Sequence, residues 1–349
     1  MTTKKDIESA LMRGADTLRD TIDAANYKDY VLPVMFVKYL SDSYTDAVEE
    51  LSKQYSGIRL ERQKKYLPFM VAEGCSFYDL YQQRFADNIG QLMNAAMRQI
   101  EADNNQQLAG VLSAVDYNSE NALGTREHKN AILRDLLEDF EPLDLRPSAI
   151  EVKEGQVPAD VIGDAYEYMI GQFASMAGKK AGSFYTPAAV SEIMARIVDV
   201  QPGERVYDPT CGSGSLLIKA AKKQNSKEVS IYGQEVNGSS VAMAKMNMYI
   251  HEIRDAKIGW GDTLANPVFL DADGNLLLFD AIVANMPFSK DKWASGFNPG
   301  GESSGKGKKE FKMEASLDKF HRFDWGVPPA SKGDWAFLLH MIASLSVNG

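Results

Sequence analysis

Only two cysteines occur in the 349 residues, Cys75 and Cys211, far apart and in no ligand-like spacing. They provide neither a disulfide framework nor a zinc site, so no metal is expected, and they fit a reducing cytoplasm. Long apolar runs are also missing. No stretch is long and apolar enough to span a membrane, which removes a membrane partner from the reading. No signal peptide is expected, because Met1-Thr2-Thr3-Lys4-Lys5-Asp6 leads into an amphipathic pattern and not an apolar block. Positive charge is in deficit: 38 Lys and Arg face 48 Asp and Glu, a net charge of −10. A chain that grips a polyanion unaided needs clustered cations. Either a basic patch hides in an acidic average, or another subunit supplies the contact.

What is present is ordinary for a globular protein: 44% hydrophobic and 25% charged residues, enough for a sizeable core. The length suits two domains. Residues 1–150 read as successive helices. Ile7, Leu11, Ala15, Leu18 and Ile22 recur at helical steps, and Tyr30–Leu40 reads as a buried helix with Pro33 near its first turn, where a missing N–H costs little. Residues 77–101 and 128–139 look helical too. The stretch 141–158, with Pro142, Pro147 and Pro158, is the best linker, followed by a helix from about Ala159 to Ala177 and a small-residue turn at 178–183. Beyond it short β-like runs (Arg205–Asp208, Val229–Glu235, Lys257–Gly261, Ala281–Ala284) alternate with helices near Ser215–Lys223 and Ser239–Ile253. That alternation predicts a parallel α/β sheet over a second domain, 151–349. The segment 289–333, rich in Gly, Ser and Lys with few apolar residues, reads as a mobile loop before a last helix at Asp334–Val347.

Asp208-Pro209-Thr210-Cys211-Gly212-Ser213-Gly214 lies between a β-like run and a helix. Its glycines permit a sharp turn and close approach of a ligand to the main chain. An ordinary strand-to-helix turn would look similar, and the spacing is not G-x-G-x-x-G, which argues against a dinucleotide. Glu235 ends the next run, placed to accept from both hydroxyls of a ribose; the plain alternative is a solvated carboxylate at a strand end. Asp262 repeats the pattern after the third run, as an acceptor for an adenine amino group or as an N-cap. Asn285-Met286-Pro287-Phe288 follows the fourth run, about seventy residues after the glycine turn. An arylamine is a poor nucleophile because its lone pair is delocalised. The Asn285 side-chain carbonyl and the Met286 backbone carbonyl have the right chemistry to hold its two N–H groups and draw the nitrogen toward tetrahedral geometry. Phe288 would stack on the ring. In isolation the tetrapeptide reads as a turn; after the glycine turn and Glu235 it reads as a site for methylating an exocyclic amine. For Tyr185-Thr186-Pro187, capping of the following helix is a sufficient reading.

Together these residues resemble the modification (methylation, HsdM-type) subunit of type I restriction–modification systems, over nearly the whole chain. Three long stretches add to the resemblance: Asp164–Ile170, Lys180–Pro187, and Arg322–Pro329 with Asp334–Phe337. The resemblance implies a helical N-terminal domain followed by a class I, Rossmann-like methyltransferase domain. It implies S-adenosylmethionine as donor and N6-methyladenine in DNA as product, the target base being flipped from its stack. Tyr185, Thr186 and the turn with Asp208, Thr210, Gly212, Ser213 and Gly214 would hold the methionine part, Glu235 the ribose, Asp262 the adenine, and Asn285 to Phe288 the target base. Partners implied are DNA, a specificity subunit, a restriction subunit and a second modification subunit. The family usually has Asn-Pro-Pro-Phe, and Met286 departs from it. Its sheet has seven strands in the order 3-2-1-4-5-7-6, of which four are legible here. The chain therefore reads as truncated before the fifth, with an uncovered sheet edge. Methylation of a protein glutamine, or a catalytically inactive assembly subunit, are the alternatives. The loop lysines Lys306, Lys308, Lys309 and Lys312 are expected to meet phosphates beside the flipped base.

Overall fold

Thr3 starts the first helix, Lys4–Thr17, with a reciprocal capping box: its hydroxyl accepts from Asp6 N while Asp6 accepts from Thr3 N at 2.8 Å. The computed structural model describes residues 1–55, 66–178, 185–222, 228–288, 290–298, 311–347 and 349. Among these, two compact units emerge, Met1–Ala181 with Lys245–Arg254, and Gly182–Ala244 with Asp255–Gly349.

The first unit is helical in its described residues. Its longest helix, Tyr27–Gln54, begins earlier than the sequence pattern indicated, so Pro33 sits well inside it and not in the first turn. An interior proline costs about 3 kcal/mol. Here the helix is buried along almost every residue from Tyr27 to Ser43, and that burial outweighs the lost bond. The single helical stretch expected at 77–101 is two helices, Phe77–Gln82 and Ile89–Asp103, because a turn through Asp87 and Asn88 interrupts it. The expected linker is tied down: Thr2 pairs with Ile150, and Asp42 accepts from Leu145 N at 2.7 Å. Asp42 is itself buried against Lys38 at 2.6 Å and Tyr78 Oη at 2.6 Å. The helix Pro158–Ala177 packs against Lys4–Thr17 in this unit, although its sequence position lies beyond residue 150.

The second unit carries the sheet. Strands β1 (Arg205–Asp208), β2 (Ser230–Glu235), β3 (Lys257–Trp260) and β4 (Ala281–Ile282) are all parallel in the order β3-β2-β1-β4. Helices Ser215–Lys222 and Gly238–Ile250 make the crossovers. The α/β expectation therefore holds, a helical N-terminal part followed by a parallel methyltransferase-like sheet. The four strands match the four legible in the sequence. After the last helix, Gly333–Ala343, Phe279 N donates to Ser344 O at 2.9 Å and Ser346 N donates to Phe279 O at 2.8 Å, so Leu345 pairs in parallel with Phe279. The neighbouring Asp280 N donates the other way, to Arg205 O of β1. Leu345 thus makes an isolated parallel bridge to the segment just before β4, on the side away from β1.

The expected mobile loop at 289–333 is also corrected in its described parts; Lys306, Lys308 and Lys309 lie outside the described residues. Its apolar residues are few but large. Trp293, Met313 and Phe323 are buried in one cluster with Leu264, Ala336 and Phe337. Within it Arg322 is buried and spends its whole guanidinium: Nε on Asp318, Nη2 on Asp318 and on Leu264 O at 2.6 Å, and Nη1 on Thr263 O at 3.2 Å and His340 Nδ1 at 3.2 Å. Burial and the Arg322 charge push the His340 pKa down to about 3, so its ring is neutral. With Nδ1 accepting, Nε2 carries the proton toward Tyr207 Oη at 3.3 Å. Replacing Arg322 by Met leaves Asp318 buried without its countercharge and is expected to cost about 3–5 kcal/mol. Urea unfolding followed through the fluorescence of the buried Trp293 measures this, and a loss below about 1 kcal/mol would show the fork to be dispensable.

Candidate active site

Four strand ends and the segment before the helix Ala188–Val198 carry the candidate residues. β1 delivers Asp208, and the chain then turns through Pro209 to Gly214 into the helix at Ser215. Gly212 and Gly214 have φ of +53° and +76°, the left-handed region that glycine enters without strain. The turn is bound on two sides: Cys211 N donates to Gln234 O of β2, and the Thr263 hydroxyl donates to Pro209 O at 2.6 Å. Asp208 is buried and accepts from Thr210 N at 2.9 Å. Burial pushes its pKa up to about 7, and the neighbouring charge of Glu235 adds to the rise.

Glu235 ends β2 and is buried. Its Oε2 accepts from Gly212 N at 3.1 Å and its Oε1 from Asn237 N at 2.8 Å, so one carboxylate joins the glycine turn to the entry of the next helix. Burial raises its pKa; the N–H donors of Asn237 and Gly212, and the charge of Lys290, act against that rise. Asp262 caps a turn, with Oδ1 accepting from Leu264 N at 2.9 Å and Ala265 N at 3.3 Å.

A cavity of about 20 Å³ lies at the carboxyl end of β1. It brings together Tyr185, Thr186, Asp208, Thr210, Gly212, Ser213 and Asn285 of the residues singled out in the sequence. Cys211, Ser215 and Leu216 complete the lining. Ser215 and Leu216 were not singled out, although their place one and two residues past the glycine turn was a usable signal. Gly214, Glu235, Asp262, Met286, Pro287 and Phe288 do not line the cavity. Met286 packs on the Trp293–Phe323 cluster, and Phe288 is 81% exposed, its ring offered to solvent. Thr186 does not cap the helix Ala188–Val198; it accepts from Asn285 Nδ2 at 3.1 Å. A larger hollow of about 450 Å³ in the helical unit is lined by Asn94 and Asp116, which bond each other at 2.6 Å.

A parallel sheet with a glycine turn after β1, acidic residues ending β1 and β2, and an Asn-x-Pro-Phe turn after β4 defines a methyltransferase of the class I type. Residues 157–349 match the family described as N-6 DNA methylase, and residues 7–140 match the HsdM N-terminal domain. The chain belongs to the N-6 DNA methylase family. It is 29% identical to the type I restriction enzyme MjaVIII methylase subunit of Methanocaldococcus jannaschii, covering 94% of this chain and 53% of that protein. It is also 29% identical to the MpnII methylase subunit of Mycoplasma pneumoniae, covering 98% of this chain and 66% of that one. The crystal structure of the type I restriction-modification system methyltransferase subunit from Streptococcus thermophilus aligns with a TM-score of 0.74 at 30% identity, over 99% of this chain and 73% of that one. The chain thus spans between about half and two thirds of the length of these two curated relatives.

The Asp208 pKa makes stability depend on pH. In the folded, ligand-free protein this carboxyl keeps its proton up to about 7, whereas unfolded it releases it near 3.8. Between those values the folded state binds more protons, so the contribution favours folding at the acidic end and is lost as pH rises. Glu235 shifts in the same direction. Asp208→Asn keeps an acceptor for Thr210 N but cannot ionise. Thermal melts at pH 5 and pH 8 should therefore differ less in this variant than in the parent. An equal difference would mean that Asp208 is ionised throughout.

Proposed function

We propose that the chain is the modification subunit of a type I restriction–modification complex, transferring a methyl group from S-adenosylmethionine to N6 of an adenine flipped out of DNA. The observation that carries this reading is the convergence of the glycine turn, Thr186 and Asn285 on one cavity at the carboxyl end of β1. Bound there, S-adenosylmethionine supplies an electrophilic methyl group on a sulfonium cation.

The residues fit that donor. Asp208 and Glu235 are carboxylates whose burial raises their pKa, and a cation beside them offsets that cost. The hydroxyls of Thr186, Thr210 and Ser213 suit the polar methionine end, Glu235 the ribose, and Asp262 the adenine amino group. Tyr185 closes the methionine side. The cavity holds little more than one water, so the donor has to spread its walls.

Asn285 Oδ1 and the Met286 carbonyl accept from the two N–H groups of the target amine. This strips conjugation from the nitrogen lone pair and aims it at the methyl carbon, a positioning and electrostatic mechanism with no covalent intermediate on the protein. Pro287 stiffens the turn. Phe288 stacks on the extruded ring, worth roughly 1–3 kcal/mol. The net charge of −10 supports a division of labour in which a specificity subunit supplies most of the grip on DNA. A restriction subunit and a second modification subunit complete the assembly. Among the described residues no helix is long and apolar enough to cross a membrane, and both cysteines are free, which supports a cytoplasmic setting.

Label transfer from radioactive S-adenosylmethionine, in the complex assembled with a specificity subunit, tests the function. Label in DNA adenine is expected. Label in protein would indicate a glutamine methyltransferase, and label in neither an assembly subunit. Glu235→Ala should weaken S-adenosylmethionine by roughly 1.5–3 kcal/mol per lost charge-assisted bond, read by calorimetry. Asn285→Ala should leave that affinity within a few fold and abolish transfer. Parental rates in Asn285→Ala would refute the amine grip.

A further inference from the structure

Thr186 precedes Pro187 and the helix Ala188–Val198, yet that helix has no side-chain cap. The hydroxyl is spent on Asn285 Nδ2 instead, 99 positions away in the sequence. This choice bears on the catalytic amide. A carboxamide has an accepting end and a donating end, and a half-turn about its bond exchanges them with almost no change of shape. To hold an amine, Asn285 must offer oxygen; its NH2 turned the same way would set donors against donors. The bond to Thr186 engages the nitrogen and leaves Oδ1 for the base.

A hydroxyl, however, both donates and accepts, so Thr186 alone would tolerate either end of Asn285. The direction is decided by where the hydroxyl proton goes. Thr186 lines the same cavity as Thr210, Gly212 and Ser213. If its hydroxyl donates to an anion in that cavity, only lone pairs remain for Asn285, and only the NH2 end can meet them.

We propose that Thr186 is a positioning residue that sets the polarity of the Asn285 carboxamide, and that a carboxylate in the cavity, accepting from the Thr186 hydroxyl, locks this polarity. This rests on the reading above that the cavity takes the methionine end of S-adenosylmethionine. The hydrogen bonds then run in one direction, Asn285 Nδ2 to Thr186 Oγ1 to the carboxylate, and Oδ1 faces outward before any base arrives. Occupancy of the donor site thereby prepares the base site with no backbone movement, and the order of binding, donor first, follows.

The test uses two ligands that share the nucleoside and differ in the carboxylate: S-adenosylhomocysteine carries it, and methylthioadenosine lacks it. Calorimetry first establishes that each binds. The side-chain NH2 resonances of Asn285 are then followed in the ¹⁵N-asparagine-labelled chain, identified by their loss in Asn285→Ala. S-adenosylhomocysteine is expected to shift them and to slow their hydrogen exchange about tenfold, as one gained charge-assisted bond in the chain would. Methylthioadenosine should leave them where they are. Thr186→Val keeps the shape, removes the hydroxyl and should abolish the response; Thr186→Ser should restore it. In the assembled complex Thr186→Val should lower kcat by more than it raises KM for DNA. An undiminished response in Thr186→Val, or an equal response to methylthioadenosine, overturns the proposal while leaving the cofactor reading intact. Failure of both ligands to bind overturns the cofactor reading and the proposal with it.

Discussion

The guanidinium of Arg322 holds the second unit in one arrangement. Its five N–H groups are divided among Asp318, the carbonyls of Thr263 and Leu264, and the neutral His340. Each partner belongs to a different part of the chain. Asp318 lies in the segment after the Asn-Met-Pro-Phe turn, Thr263 and Leu264 follow β3, and His340 sits on the last helix. From Thr263 the restraint passes through its hydroxyl to Pro209 O, and so to the glycine turn; from His340 it passes to Tyr207 in β1. A buried ion pair of this kind contributes little net stability relative to a well-packed apolar substitute. A planar fork with fixed donor directions, by contrast, admits only one geometry of its acceptors. Geometry is what the proposed methyl transfer needs, since misplacement by about an ångström can cost about a hundredfold in rate.

Within that frame the site holds electrostatic tension. Asp208 and Glu235 are both buried and both have raised pKa values, and their oxygens are met mainly by backbone N–H groups. Donors from Thr210, Gly212 and Asn237 fix both side chains in place, ready to ionise beside a cation. A fixed acidic cleft favours a cationic ligand and loses that preference once the ligand's charge is gone. That asymmetry suits a donor that arrives as a sulfonium and leaves as a neutral thioether. The same two groups tie ligand binding to pH, because they must be ionised to attract the cation.

The whole chain carries a net charge of −10, and that separates two tasks. The described part of this chain supplies cavity, amide and an exposed Phe288. Attraction of a polyanion over many phosphates is a different physical demand, met by clustered cations. A net charge of −10 leaves that demand to a partner chain or to a local cluster.

Local motifs were legible in the sequence because their physics is local. The glycine turn needs left-handed backbone at Gly212 and Gly214, the strand ends carry Asp208 and Glu235, and alternating periodicities announce a parallel sheet with its candidate site at the carboxyl ends. Pro33 and the 289–333 segment were misread for one reason: composition counts residues, whereas packing counts buried area. A proline inside the buried half of a helix is tolerated, and a few large aromatics around Arg322 order a segment whose average looks like a loop. Thr186 read equally well as a helix cap. Chain order by itself determined which chemical groups are available and on which strand ends they stand. Only tertiary structure decided that Thr186 turns away from its own helix to Asn285, and that Arg322 joins its own segment to Thr263–Leu264 and to the last helix. Hydrogen bonds between residues so far apart in sequence depend on the fold that brings them together, and no local propensity encodes them.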